Sequence, residues 1–256
     1  MAKISITLIS FFLILSCNSS KKLSIKIIKP VLEIEEVNEI QKEIDDIYTL
    51  LTYSLVYNDW QPDSIPRKER RGYNIGALLI NKENLPVQYG LNCINSTNNA
   101  TQHGEVRAIT FYLEKERSFN LSGFTIYTSL EPCVMCAGMM TMTDVKRVVY
   151  GQRDVAYSKA FERLAIDTRP IGGFSPYPRR VIAQASTISF CEELDKEYQE
   201  FLEEEDEKVL AIFLASDDAK NVFKNATGAF LNYKVKFDEN ERIYDTALRF
   251  YNQNAK

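Results

Sequence analysis

The chain has 256 residues, with 31 lysines and arginines against 35 acidic residues and a formal charge of −4. Apolar residues make up 45% and charged residues 26%. These fractions are ordinary for a folded protein and exclude collagen-like, low-complexity and disordered chains. The acidic balance argues against a nucleic-acid binder, because such proteins owe much of their affinity to Lys and Arg on phosphates.

The first segment is typical of an exported bacterial lipoprotein. Lys3 precedes an apolar stretch of 12 residues, Ile4 to Leu15. A transmembrane helix needs about 20 apolar residues, whereas this length suits the core of a signal peptide. The following Cys17 completes a sequence that resembles a lipobox, whose cysteine is lipidated. We therefore expect a signal peptide at 1–16, a tether at 17–35 and a lipid anchor in the bacterial cell envelope. The alternative is a buried N-terminal strand.

Hydrophobic periodicity then predicts an alternation of helices and strands. Apolar residues recur at three- and four-residue steps from Val37 to Leu55, which indicates an amphipathic helix. Two short apolar runs around a polar turn predict a β-hairpin at 74–80 and 85–91. Further predicted elements are a helix at 103–115, a strand at 124–128, a helix at 133–142 and strands at 147–150 and 181–185. This order indicates a layered α/β domain.

The C-terminal part is predicted to be helical. Glu192 to Lys208 holds ten acids and two lysines among apolar residues, which indicates a helix with a solvated acidic face. Two more helices are expected after residue 206, and this tail carries no recognisable motif. The predicted domain spans 36–205, with a helical extension at 206–256.

One constellation of residues carries chemistry. His103 and Glu105 open one predicted helix, and Cys133 and Cys136 open another. An imidazole and two thiolates suit Zn²⁺, and three protein ligands leave a fourth position for water, as in catalytic zinc sites. Such a site lowers the pKa of water to about 7. Glu105 is the candidate for moving protons.

This H-x-E and P-C-x-x-C pairing resembles the zinc-dependent cytidine/deoxycytidylate deaminase superfamily, and most of all its tRNA adenosine deaminases and related base deaminases. The stretches that carry the resemblance include QHGEVRAI, YTSLEPCVMCAGMM and RVVYGQRD. The resemblance implies a three-layer α/β/α fold with a mixed five-stranded sheet and one zinc per chain on His103, Cys133 and Cys136. It also implies Glu105 as the catalytic acid/base, Asn92 and Pro132 as substrate contacts, and a homodimer.

The sequence thus predicts a hydrolytic deaminase of a small nucleobase, nucleoside or nucleotide. A lipobox and an acidic helix argue against folded tRNA as the substrate, although Arg67 to Arg71 (RKERR) could form a basic patch. Two alternatives stay open. One is a tRNA adenosine-to-inosine deaminase, and the other is a surface lipoprotein that uses the scaffold as a binding module. CxxC as a thiol redox pair would leave Glu105 unexplained.

Overall fold

The computed structural model describes residues 37–164, 169, 172, 181–204 and 209–255. The predicted signal peptide, the tether and Cys17 lie outside these residues. No helix in the described part of the chain is long and apolar enough to cross a membrane.

Five strands form one mixed sheet, as predicted. The strand order is β2-β1-β3-β4-β5, in which β1 pairs antiparallel with β2 and β3, while β3–β4 and β4–β5 are parallel. The strands are β1 (Gly76–Ile80), β2 (Pro86–Leu91), β3 (Thr125–Leu130), β4 (Arg147–Gln152) and β5 (Ile182–Ala185). The hairpin and every predicted strand are therefore confirmed, with bounds that differ by one or two residues.

Helices cover both faces of the sheet. They are α1 (Glu39–Asn58), α2 (Gly104–Glu116), α3 (Val134–Met142), α4 (Ala160–Leu164), α5 (Ser189–Glu204), α6 (Leu210–Phe213), α7 (Asp217–Leu231) and α8 (Glu241–Asn254). Neighbouring strand residues alternate between the two faces. Leu78 and Val149 join the core under α1, whereas Leu79 and Val148 join the core under α2 and α3. The three-layer α/β/α prediction is confirmed.

The C-terminal helices pack on the α1 side of the protein. Phe223 and Phe230 of α7 are fully buried in the same core as α1, and the Phe223 ring stacks on Tyr53 with 4.6 Å between centroids. The carboxylate of Glu43 accepts hydrogen bonds from the backbone N–H groups of Lys236 and Phe237. The turn before α8 is thereby fixed to α1. The boundary at 205/206 stays a prediction.

The acidic helix is found where the sequence predicts it. In α5, Leu194 and Tyr198 are buried while Glu192, Glu200 and Glu203 are exposed. In the RKERR segment, Arg67, Lys68 and Glu69 are exposed, whereas Arg70 is turned inward. Arg70 is only 8% exposed, and its guanidinium donates to the carbonyl oxygens of Asp63 and Ile65.

Candidate metal centre and active site

Three predicted ligands converge at the starts of two helices. His103 is the N-cap of α2, Cys133 is the N-cap of α3, and Cys136 lies in the first turn of α3. The start of α2 packs very closely against β2 of the hairpin. A Cβ atom on Gly90 would lie only 2.3 Å from the carbonyl oxygen of Gly104. Only glycine at position 90 permits this packing, which sets where His103 stands.

The three ligand atoms form a nearly equilateral triangle. His103 Nδ1 lies 3.7 Å from Cys133 Sγ and 3.5 Å from Cys136 Sγ, and the two sulfurs are 3.7 Å apart. A tetrahedral zinc with its usual bond lengths would place two sulfurs about 3.8 Å apart, and sulfur and nitrogen about 3.6 Å apart. The observed triangle fits zinc. Among the described residues, no fourth His, Cys, Asp or Glu joins this group.

The environment of Cys133 favours metal binding. The hydrogen bond from the Cys136 thiol, aided by one from His103, lowers the pKa of Cys133 to about 4. The pKa of Cys136 is raised, first by its hydrogen bond to Cys133 and then by burial. The hydrogen bond between His103 and Cys133 raises the pKa of His103. A thiolate is the form that binds metals, and a helix N-terminus stabilises it further.

Glu105 lies beside the ligands without being one of them. Its side chain is 3% exposed, and burial raises the pKa of its carboxyl group. The Thr128 hydroxyl, on the neighbouring strand β3, donates to Oε1 at 3.4 Å, while Oε2 is buried without a partner. A buried carboxylate oxygen without a hydrogen bond is costly. It is therefore a candidate for contact with a substrate or a reacting water.

Asn92 presents a free donor. Its side chain is fully buried, and Oδ1 accepts hydrogen bonds from the backbone N–H groups of Tyr73 (3.1 Å) and Ile94 (3.4 Å). Two backbone donors fix the orientation of the amide. The Nδ2 group is then buried without a partner, and it can donate to an acceptor on a ligand.

Pro132 is buried and lines a cavity of about 390 Å³ next to Cys133. Sequence reasoning missed Glu131, whose two carboxylate oxygens accept hydrogen bonds from the backbone N–H groups of Lys159 and Asp154. Glu131 thereby positions the loop that forms the other wall of this cavity. The sequence feature that could have revealed Glu131 is an acidic residue placed between a buried strand and Pro132.

Cys93 and Cys191 are buried and carry free thiols. Both pack as small buried residues. Neither belongs to the metal-ligand group.

Comparisons with known proteins agree with this site. Residues 65–152 match the family described as the cytidine and deoxycytidylate deaminase zinc-binding region. The chain is 37% identical over 81 residues to a tRNA-specific adenosine deaminase of Rickettsia bellii, covering 31% of this chain and 56% of that protein. It is 36% identical over 86 residues to tRNA-specific adenosine deaminase 2 of Xenopus laevis, covering 31% and 49%. The chain thus spans about half the length of these relatives.

Among solved structures, a guanine deaminase from Nitrosomonas europaea aligns with a TM-score of 0.35 and 17% identity, covering 60% of this chain and 73% of that one. The matched family region is described as zinc-binding, and zinc is therefore the metal for the triangle of His103, Cys133 and Cys136. The part of the chain that holds the metal centre is thus similar to the zinc-binding region of cytidine and deoxycytidylate deaminases.

Proposed function

We propose that this protein is a zinc-dependent hydrolytic deaminase of a nucleobase, nucleoside or nucleotide. The observation that carries the proposal is the buried Glu105 carboxylate with an unpartnered oxygen beside three zinc-ligand atoms. A scaffold used only for binding would gain nothing from this costly group.

The proposed reaction replaces the exocyclic amino group of the base by oxygen. Bound zinc would supply an activated water, whose pKa falls to about 7. Glu105 would accept a proton from this water through Oε2 and deliver protons to the ring nitrogen and then to the departing amine. A carbon–oxygen bond forms, the carbon–nitrogen bond breaks and ammonia leaves. Thr128 would hold Oε1 during these transfers.

Asn92 would orient the base in this scheme. Its Nδ2 group donates to an acceptor on the ring edge, and its own carbonyl oxygen is already held by two backbone donors. Pro132 would form the wall against the reacting edge. Preorganised donors of this kind lower the barrier because they need no reorganisation during the reaction.

A tRNA substrate is the second candidate, since tRNA-specific adenosine deaminases are among the relatives that the chain matches. Two features favour a small substrate. The guanidinium groups of Arg70 and Arg71 are engaged by groups of the protein itself, so RKERR offers fewer free charges than its sequence indicates. The described part of α5 adds an acidic surface.

The substrate is identified by ammonia release from a panel of bases, nucleosides and nucleoside monophosphates, beside a tRNA anticodon stem-loop at physiological salt. We expect turnover of at least one small compound. Turnover of the stem-loop alone would make the tRNA activity the correct assignment. No turnover of any compound would favour the binding module.

We also propose that Cys17 carries a lipid anchor, as its sequence context suggests. A fatty-acid analogue should label the wild type in bacterial cells and fail to label Cys17→Ala. Equal labelling of both proteins would contradict the proposal.

The resemblance further leads us to propose a homodimer. The α3 helix contains no charged residue, and Val134 and Met142 on it are 40% and 71% exposed. We place the interface on this uncharged helix. Sedimentation should give twice the chain mass, and Met142→Glu should shift the protein toward a monomer. A wild-type monomer at micromolar concentration would contradict this.

A further inference from the structure

The buried amide of Asn92 rests on three consecutive residues, 71–73. Its Oδ1 accepts a hydrogen bond from the Tyr73 backbone N–H at 3.1 Å, and Arg71 Nη1 donates to the backbone carbonyl oxygen of Asn92. Between these two contacts, a Cβ atom on Gly72 would lie only 2.3 Å from Asn92 Oδ1. Only glycine permits this approach. The orientation of the Asn92 amide therefore depends on the position of residues 71–73.

Gln61 holds this segment in place. Its Oε1 accepts a hydrogen bond from the Arg71 backbone N–H at 3.1 Å. The backbone N–H of Gln61 donates to Asn74 Oδ1 at 2.9 Å, and Asn74 Nδ2 donates to the carbonyl oxygen of Gln61 at 2.9 Å. The side chain of Asn74 and the backbone of Gln61 thus form a closed pair of hydrogen bonds, which also fixes the orientation of the Asn74 amide.

The C-terminal helices anchor Asn74. Its Nδ2 group also donates to the carbonyl oxygen of Leu214, the C-cap of α6, at 2.7 Å. Asn74 and Leu214 are each only 2% exposed. A second contact follows directly, because the carbonyl oxygen of Ala215 accepts a hydrogen bond from the Asp63 N–H at 3.2 Å. Buried polar groups are costly to leave without a partner, so this contact between distant segments is strongly favoured.

These hydrogen bonds form a relay from α6 to the base site. The relay consists of Leu214, Asn74, Gln61, Arg71 and Asn92, in that order. It ends on Asn92 Nδ2, which is buried without a partner and is the donor assigned to the base. A displacement of about 1 Å in a group that positions a substrate can cost about 100-fold in rate. The position of α6 therefore bears on the proposed chemistry.

We propose that Gln61 and Asn74 are positioning residues for Asn92, and that the C-terminal helices form part of the substrate site through them. This inference rests on the proposed function, in which Asn92 orients the base. Gln61 and Asn74 act through the orientation of the Asn92 amide and are not assigned a contact with the base. The inference gives the end of α6 a role in the active site, although its sequence carries no recognisable motif.

Steady-state kinetics of the zinc-loaded full chain on its best small substrate test the relay. Gln61→Met keeps the length of the side chain and removes the acceptor for the Arg71 N–H. We expect KM to rise about 2- to 12-fold, the range for losing one hydrogen bond. The value of kcat should change less, because Asn92 contacts the base both before and during the reaction. Gln61→Glu keeps an acceptor oxygen and should restore KM. Gln253→Met, the same substitution at an exposed site on α8, should change neither constant.

Asn74→Asp tests the link to the C-terminal helices. The carboxylate keeps the acceptor for the Gln61 N–H but loses the donor to the Leu214 carbonyl oxygen. KM should rise at least as much as in Gln61→Met. Hydrogen exchange of the Tyr73 amide, measured on the full chain without substrate, should become faster in both variants. Asn74→Ala takes the place of Asn74→Asp if the buried carboxylate prevents folding.

The outcomes separate the relay from the deaminase activity. If the wild type converts no compound, faster exchange of the Tyr73 amide in both variants would support the relay while contradicting the proposed function, and unchanged exchange would overturn the relay as well. Unchanged KM in Gln61→Met, with a wild type that is active, would overturn the relay alone. A lower kcat at unchanged KM in both Gln61 variants would show a structural role only. A raised KM in Gln61→Met beside a wild-type KM in the folded Asn74 variant would overturn the role of the C-terminal helices.

Discussion

Replacing Glu105 by Gln removes the proposed proton carrier while keeping its shape. The amide fits the same buried space, and its oxygen can still accept the hydrogen bond from Thr128. General acid–base catalysis contributes about 10²- to 10⁴-fold, which corresponds to about 2.7–5.4 kcal/mol of the barrier. We expect kcat to fall by at least this range, since one carboxylate is assigned several transfers. Zinc content should stay at one per chain, because Glu105 is outside the ligand group.

The assay combines ammonia release under saturating substrate with metal analysis of the same sample. Glu116→Gln, an exposed substitution on the same helix, is the matched control and should behave as the wild type. Burial raises the pKa of Glu105, so the neutral amide should leave the melting temperature equal or higher. A variant with near-wild-type kcat would refute the assigned role. A variant that loses zinc would show that Glu105 is a ligand.

Three further outcomes are expected. Cys133→Ser should lose stoichiometric zinc in metal analysis while Cys93→Ser retains it; zinc retained by Cys133→Ser would contradict the ligand set. Phe223→Ala should lower the free energy of unfolding in urea by about 3–5 kcal/mol, against less than about 0.5 kcal/mol for Phe119→Ala, whose side chain is 95% exposed. Burial raises the pKa of Asp46 from 3.8 to about 6. Between pH 3.8 and about 6, the folded protein therefore keeps the Asp46 proton that the unfolded chain releases. The free energy of unfolding falls as the pH rises through this range. Asp46→Asn should flatten that part of the pH profile of stability, and an unchanged slope would contradict the assignment.

The metal centre could be predicted because its chemistry depends on short, local patterns. His103 and Glu105 are two residues apart, and Cys133 and Cys136 are three apart at a helix start, so each pair is positioned by its own helix. Strand–helix alternation then brings both helix starts to one region of the sheet. The sequence does not reveal the precise triangle, since that depends on contacts such as the approach of Gly90 to Gly104.

Other features depend on contacts between distant segments. Periodicity shows that α7 has an apolar face, but Phe223 contacts Tyr53 and Trp60, which lie far away in the sequence. The composition of RKERR indicates a solvated segment, yet Arg70 is buried and its guanidinium donates hydrogen bonds to carbonyl oxygens of its own loop. Nothing local to Asn74 indicates its hydrogen bond to the Leu214 carbonyl oxygen. Hydrophobic periodicity identifies which side of a helix or strand is buried, but it does not identify the element that packs against that side.

A reconstitution titration measures whether zinc at this site drives the proposed deamination. Zinc is removed from the purified protein and added back stepwise while ammonia release from the best substrate is measured. Activity should be absent in the stripped protein, rise in proportion to added zinc and saturate at one equivalent per chain. Full activity in the stripped protein, or none at any zinc level with a substrate that the untreated protein converts, would contradict zinc-dependent deamination at this site.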